Sequence, residues 1–207
     1  MIEERVHQGL FETTWGLYRN THFVVPEKKE KYRFITDAVS AYRHTLEDAE
    51  IQPHIEEFSE AFARLPIPSL FDFHFGYNQT LLHEDSRDYM ALQTTQGMYR
   101  PTRQVQWFTN SVSAFVRVSG KILHSALGSI AEIFINDVGV KDQESQYREE
   151  ELEGLLEVRR FVMEHLQNPD NVLADVESAG ATIPVAKSDW GWTGVKIVEF
   201  VRGDAGR

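Results

Sequence analysis

Carboxylates placed beside short apolar segments are the first feature of this sequence that could do chemistry. Asp72 ends an apolar run that predicts a buried strand. Asp137 follows a second apolar run, Ile130–Ile133, and precedes a third, Val138–Val140. Two apolar runs around a short polar turn predict a tight β-hairpin, and Asn136 suits its tip. Carboxylate oxygens are the hard anionic ligands that Mg²⁺ prefers.

The segments around these residues alternate between helical and extended patterns. Apolar residues recur at helical spacing in His54–Ala63. A helix over Ser111–Leu127 is expected to stop at Gly128. A second long helix, Glu149–Leu166, should break near Pro169, because proline lacks a backbone donor. The predicted strands are Phe23–Val25, Tyr32–Ile35, Leu70–Phe73, Met90–Thr94, Met98–Arg103, the two strands of the hairpin and Lys196–Val201. Helices interleaved with antiparallel strands predict an α+β fold.

Composition narrows the function classes. The chain has 207 residues, no cysteine and a net charge of −11. The lack of cysteine excludes disulfides, thiol catalysis and cysteine-based zinc sites. The chain has no long apolar segment and no signal-peptide pattern at its start, so we expect an intracellular protein without a membrane partner. The acidic balance is unusual for a nucleic-acid binder, which normally presents a basic face.

Several motifs agree in order and spacing with one known family. They are Tyr18-Arg19-Asn20, the segment from Ser69 to Gln79, Thr109-Asn110-Ser111-Val112, the segment from Phe134 to Asp137, and Ala179-Gly180-Ala181-Thr182. Together they resemble the reverse transcriptase domain of gypsy-type LTR retrotransposons, most closely of the fungal type. The resemblance covers nearly the whole chain. It implies a fingers–palm arrangement, in which an antiparallel palm sheet packs with helices.

The resemblance also implies a division of the chain. Residues 1–66 would form the N-terminal segment and fingers, and residues 67–207 the palm, with fingers strands interleaved at about 80–105. Thumb and RNase H regions would be absent from this segment. The hairpin strand Ile133–Phe134 is expected to lie next to Leu70–Asp72 as its antiparallel neighbour.

The family's hairpin carries two adjacent aspartates, and Asn136 occupies the first of these positions. The resemblance implies a Mg²⁺ site made by Asp72, the backbone of Phe73 and Asp137. Phosphoryl transfer in such enzymes uses two metal ions roughly 3.5–4 Å apart. Two carboxylates remain where the chemistry uses three, and Asn136 turns an NH₂ group toward a cation. We therefore expect Mg²⁺ binding to be weak or lost.

A template–primer nucleic acid and a dNTP are the partners that the resemblance implies. Lys28 and Arg33 match residues that neutralise the triphosphate, and fork-shaped arginine suits phosphate. Tyr77 matches the residue that excludes ribonucleotides. Gln106 matches a glutamine that contacts the nucleotide.

Two further residues differ from the family pattern at positions that serve nucleotide addition. Trp107 stands where the family has a glycine beside the base pair, and Glu199 stands where it has a glycine near the primer. Two hypotheses remain open: a working or weakly working polymerase domain, and a non-catalytic remnant that binds nucleic acid or a protein partner. A protease or integrase finds no support, because the motifs of both are missing.

Overall fold

A computed structural model describes residues 2–26, 32–49, 54–73, 76–106, 108–142, 146–192, 194–197 and 200–203. Lys28, Trp107 and Glu199 lie outside the described residues, so the predictions about them stay predictions. No helix within these ranges is long and apolar enough to cross a membrane.

Helices and strands alternate along the described chain. The helices are α1 (Ile2–His7), α2 (Val39–Tyr42), α3 (Ile55–Glu60), α4 (Gly76–Gln79), α5 (Glu84–Arg87), α6 (Ser111–Ile122) and α7 (Arg160–Ser178). The strands are β1 (Phe11–Thr13), β2 (Thr21–Pro26), β3 (Tyr32–Asp37), β4 (Ser69–Asp72), β5 (Leu92–Thr94), β6 (Gly97–Pro101), β7 (Ala131–Phe134), β8 (Asp137–Val140), β9 (Glu151–Leu152), β10 (Leu155–Arg159), β11 (Gly194–Ile197) and β12 (Phe200–Gly203). All the strand pairs are antiparallel, which confirms the predicted α+β class.

The chain divides into two compact units. The first unit comprises Met1–Glu50 and Phe75–Phe115, and the second comprises Ile51–His74 and Val116–Arg207. Both units are therefore discontinuous in sequence. The assignment of fingers and palm to particular residues stays a prediction.

The first unit contains a three-stranded sheet in the order β1-β6-β5 and the hairpin β2–β3. Ile2, Phe11 and Leu92 form a buried cluster on this sheet. A charge network crosses the sheet at Arg100, whose guanidinium lies 2.7 Å from Glu12 and 3.2 Å from Asp88. The network neutralises acidic side chains that would otherwise repel one another.

The second unit contains the sheet that carries the candidate site, in the order β4-β8-β7. Phe58 of helix α3 and Phe62, in the turn after the helix, are buried together, and Phe134 of β7 packs against this cluster. The ring of Phe62 lies directly over Gly139 of β8, at a place where any side chain would collide with it. Close approach of ring and backbone therefore holds the turn after α3 on the sheet.

The predicted strand neighbours of Leu70–Asp72 were wrong. Its partner in the sheet is β8, which lies between β4 and β7, rather than Ile133–Phe134. The apolar pattern does not distinguish the two hairpin strands, since both are apolar and of similar length. β8 has the greater burial, with Val138, Gly139 and Val140 all buried, as suits a central strand.

The predicted second long helix also differs from the structure. Residues 151–159 form the hairpin β9–β10, and α7 begins only at Arg160. α7 then runs through Pro169 to Ser178, so the predicted break there was wrong. Proline in a helix interior costs roughly 3 kcal/mol. Burial of Phe161, Val172 and the proline itself offsets that cost.

Helix α6 begins at Ser111 as predicted and ends at Ile122, before the expected end at Leu127. The chain continues in turns to Gly128, which has a φ of 77°. Glycine adopts this left-handed conformation without a steric penalty. The apolar pattern that predicted the helix therefore continues past the end of α6 into the turns that follow the helix.

Candidate active site at the hairpin tip

Strand register brings the two aspartates together. β4 and β8 pair so that Asp72 lies directly opposite Asp137, at the ends of both strands. Phe71 of β4 and Val138 of β8 are buried, which fixes this register, because a slip by one residue would expose them. Side chains directly opposite each other in an antiparallel pair share a face of the sheet. The carboxylates of Asp72 and Asp137 are therefore neighbours.

The turn before Asp137 is strained. β7 and β8 are joined by only Ile135 and Asn136, which confirms the predicted tight hairpin. Ile135 has a φ of 57°, where a β-branched residue is a genuine outlier. Such strain costs of order 1–3 kcal/mol and clusters at functional sites. The surrounding sheet holds the tip in one defined conformation.

Both carboxylate oxygens of Asp72 have a donor partner. The Asn136 side-chain amide donates to Oδ1 at 2.5 Å. The Lys187 ammonium lies 3.1 Å from Oδ2. The backbone N–H of Phe73 donates to the carbonyl oxygen of Asn136 at 3.0 Å, which ties the end of β4 to the turn. Asp72 is thus held by an amide and an ammonium group.

The second carboxylate, that of Asp137, is partly buried. Burial and, to a smaller extent, the charge of Asp72 raise the pKa of the Asp137 carboxyl to about 6, while the charge of Lys187 opposes both effects. Lys187 therefore stabilises the charged form of Asp137.

This arrangement does not fit two magnesium ions. In the described part of the chain, no group of three or more His, Cys, Asp or Glu side chains is placed to hold a metal ion. Asp72 and Asp137 supply two carboxylates, and the oxygens of Asp72 face NH donors. A metal ion needs lone pairs that point toward it, and an ammonium group repels it. The predicted roles of Asp72, Asp137 and the Phe73 backbone as Mg²⁺ ligands stay predictions.

The predicted nucleotide-binding residues that the structure describes all lie in the first unit. Arg33 is on β3, paired with Val25. Tyr77 is on α4 with its ring 5.2 Å from that of Phe115, and burial raises the pKa of its hydroxyl. Gln106 is exposed in a turn. Their roles in nucleotide binding stay predictions.

Sequence reasoning missed Lys187. The residue lies in a short 3₁₀ turn, Val185–Lys187, with no local motif. Its partner Asp72 is 115 positions away in the chain. Only the pairing of this segment with β4, which the sequence does not signal, brings the ammonium to the carboxylate.

Sequence reasoning also missed a buried polar chain behind the same strand. Ser69 Oγ and His165 Nε2 share a hydrogen bond of 2.8 Å. His165 Nδ1 lies 3.7 Å from a carboxylate oxygen of Asp142. All three side chains are buried, so the group supports the fold rather than an exposed reaction.

Known proteins resemble this chain in sequence and in fold. No protein-family model matches the sequence. The Retrovirus-related Pol polyprotein from transposon 412 of Drosophila melanogaster is 27% identical over 108 residues, which is 49% of this chain and 9% of that protein. The chain therefore spans a small part of its relative.

Solved structures match over the full length. A foamy viral protease–reverse transcriptase in complex with double-stranded DNA has a TM-score of 0.84 at 19% identity, over 100% of this chain and 33% of the other. A complex of the foamy viral enzyme with an RNA/DNA hybrid has a TM-score of 0.81 at 17% identity, over 100% of this chain and 25% of the other. The chain therefore has the fold of the part of these foamy viral enzymes that it matches.

Proposed function

We propose that the chain is a polymerase-domain fragment of a retrotransposon Pol polyprotein whose magnesium-dependent nucleotide addition is lost or strongly impaired. The fold and the relation to a transposon Pol polyprotein support the first part. The gypsy-type, fungal-type origin belongs to this proposal and is supported by the motifs from Ser69 to Gln79 and from Phe134 to Asp137.

One observation carries the proposed loss of activity. The Asn136 amide donates to Asp72, in the place where the family's motif has a third carboxylate. A donor there satisfies Asp72 without a metal ion and removes one negative charge from the site. Two metal ions carry four positive charges within roughly 4 Å of each other, so the loss of an anion weakens binding of the pair.

A nucleic acid and a dNTP remain the proposed partners. Support comes from the matching fold of foamy viral enzymes in complexes with double-stranded DNA and with an RNA/DNA hybrid. The net charge of −11 opposes tight binding, because affinity for the phosphate backbone depends on basic residues. We expect weak binding that falls steeply with salt. A non-catalytic role as a nucleic-acid or protein binding module is the alternative that this weak binding leaves open.

Primer extension tests the proposal directly. A labelled primer on an RNA or DNA template, with dNTPs and Mg²⁺, is expected to show no more extension with the wild-type chain than with Asp72→Ala. We expect this because the metal site of the wild type already carries too little negative charge to hold two Mg²⁺ ions. Robust extension by the wild type that Asp72→Ala abolishes would contradict the proposed loss of activity.

A positive control shows whether the assay can detect this fold at work. Asn136→Asp alone is expected to restore little primer extension, because Trp107 still disfavours nucleotide binding and Glu199 still disfavours primer binding. Asn136→Asp combined with Trp107→Gly and Glu199→Gly, joined to the thumb of a related polymerase, is expected to extend the primer above the Asp72→Ala background.

A further inference from the structure

We propose that Lys187 is a tethered cation that holds Asp72 and closes the carboxylate pair to divalent metal ions. This inference deepens the proposed loss of activity and rests on it. It assigns the exclusion of metal to two of the chain's own groups, the ammonium of Lys187 and the amide of Asn136.

The first support is register. Leu70 of β4 and Asp189 form an antiparallel bridge on the edge of β4 that faces away from β8. Lys187 ends the 3₁₀ turn just before this bridge, and its ammonium lies 3.1 Å from Asp72 Oδ2. Asp137 lies opposite Asp72 on the neighbouring strand β8. Asp137, Asp72 and Lys187 therefore form a row of two carboxylates and one ammonium group.

The second support is the anchoring of the segment that carries Lys187. Leu70 and Asp189 exchange two backbone hydrogen bonds of 2.8 and 2.7 Å. The ring of Trp190 stacks on that of buried Phe71 at 5.6 Å. The backbone N–H of Gly191 donates to Ser69 Oγ at 2.9 Å. The backbone next to Lys187 is therefore fixed along β4, although the side chain itself is 67% exposed.

The third support is the charge of the row. Like charges directly opposite each other on a sheet destabilise it, so Asp72 and Asp137 require a counter-charge. The Lys187 ammonium lies 3.1 Å from Asp72 and supplies it. A divalent ion at Asp72 would have to displace this ammonium, because the two cations would repel each other at that distance. Lysine is a compact point charge on a flexible stem, well suited to occupy a cation's place.

An exposed ion pair alone contributes little, so the comparison with another lysine is informative. Lys141 pairs with Glu132 at 2.7 Å, beside the same sheet. That pair has a single carboxylate, and the residue opposite Glu132 on β8 is Gly139. Removal of the Lys141 charge is therefore expected to create no metal site, whereas removal of the Lys187 charge uncovers two adjacent carboxylates.

Binding of Mn²⁺, followed by electron paramagnetic resonance of the free ion, tests the proposal. The wild type is expected to bind Mn²⁺ weakly, and Asn136→Asp with Lys187→Met at least about tenfold more tightly, as expected when a cation is removed and an anion is added. Lys187→Met alone should fall between the two. Lys187→Arg and Lys141→Met should bind like the wild type.

Equal Mn²⁺ affinity of the wild type and the double variant, or an Lys187→Arg protein that binds like Lys187→Met, would overturn the proposal. If a variant does not fold, a measurement on the wild type still tests the proposal. A ligand that binds only the native state raises the unfolding temperature, and the rise is small when binding is weak. The unfolding temperature of the wild type should therefore change little with Mn²⁺, and a clear rise that Asp72→Asn abolishes would overturn the inference. Tight Mn²⁺ binding by the wild type without primer extension would refute this inference alone, whereas primer extension by the wild type would refute the proposed loss of activity.

Discussion

Replacement of Gly139 by alanine is expected to destabilise the protein by about 2–4 kcal/mol, as overpacking of a rigid core site does. A Cβ on Gly139 would lie 2.1 Å from Cζ of Phe62 and 2.7 Å from two further ring carbons. The residue is 1% exposed and its ring packs against that of Phe58 at 5.2 Å, so it has little room to move. Chemical denaturation of the wild type and the variant measures the difference in the free energy of unfolding.

Two control variants separate this collision from a general effect of alanine. Gly120 lies in α6, where a Cβ would have its nearest contact at 3.8 Å. Gly120→Ala is expected to stabilise the protein by up to about 1 kcal/mol through helix propensity. Phe62→Leu combined with Gly139→Ala should lose less stability than the two single changes added together. If Gly139→Ala is tolerated like Gly120→Ala, Phe62 does not pack against Gly139 as described.

Acid is expected to destabilise the protein through His165. Burial lowers the pKa of His165 from 6.5 to about 4, and a hydrogen bond with the backbone of Lys141 opposes this only in part. The ring faces Ser69 at Nε2 and the Asp142 carboxylate at Nδ1. Below pH 6.5 the unfolded chain takes up a proton on this histidine and the native protein does not. The stability that neutral His165 contributes is therefore fully present above the unfolded pKa. It is lost as the pH falls toward 4, by roughly 3 kcal/mol in total.

The comparison with His165→Gln isolates this effect. Glutamine keeps a polar group near Ser69 but does not titrate. The Asp137 carboxyl, with a pKa raised to about 6, acts in the opposite direction, and the difference between the two proteins cancels its contribution. Urea denaturation at about pH 7.5 and about pH 4.5 should show His165→Gln gaining about 2–3 kcal/mol on the wild type toward acid. No gain would mean that Asp142 holds a charged imidazolium in the native protein.

Local pattern was sufficient to predict the hairpin at Asn136. Two apolar runs around a polar pair leave few alternatives, and the same reasoning placed Asp72 at the end of a buried strand. The α+β class followed from the alternation of such runs with helical spacing. These predictions succeeded because each depends on residues close together in the chain.

The parts that sequence reasoning missed depend on pairing between distant segments. The position of β8 between β4 and β7 is a choice between two similar apolar strands, and only the greater burial of β8 in the folded sheet distinguishes them. Lys187 reaches Asp72 only because Asp189 bridges Leu70. The passage of α7 through Pro169 reflects tertiary burial that exceeds a local penalty. In each case the deciding contact lies far away in sequence.

Anomalous diffraction from crystals of the wild-type protein soaked in Mn²⁺ would test the closed carboxylate pair most directly. The structure predicts no manganese peak between Asp72 and Asp137, with the Lys187 ammonium still beside Asp72. Two manganese peaks about 3.5–4 Å apart at these carboxylates, with Lys187 turned away, would contradict the account.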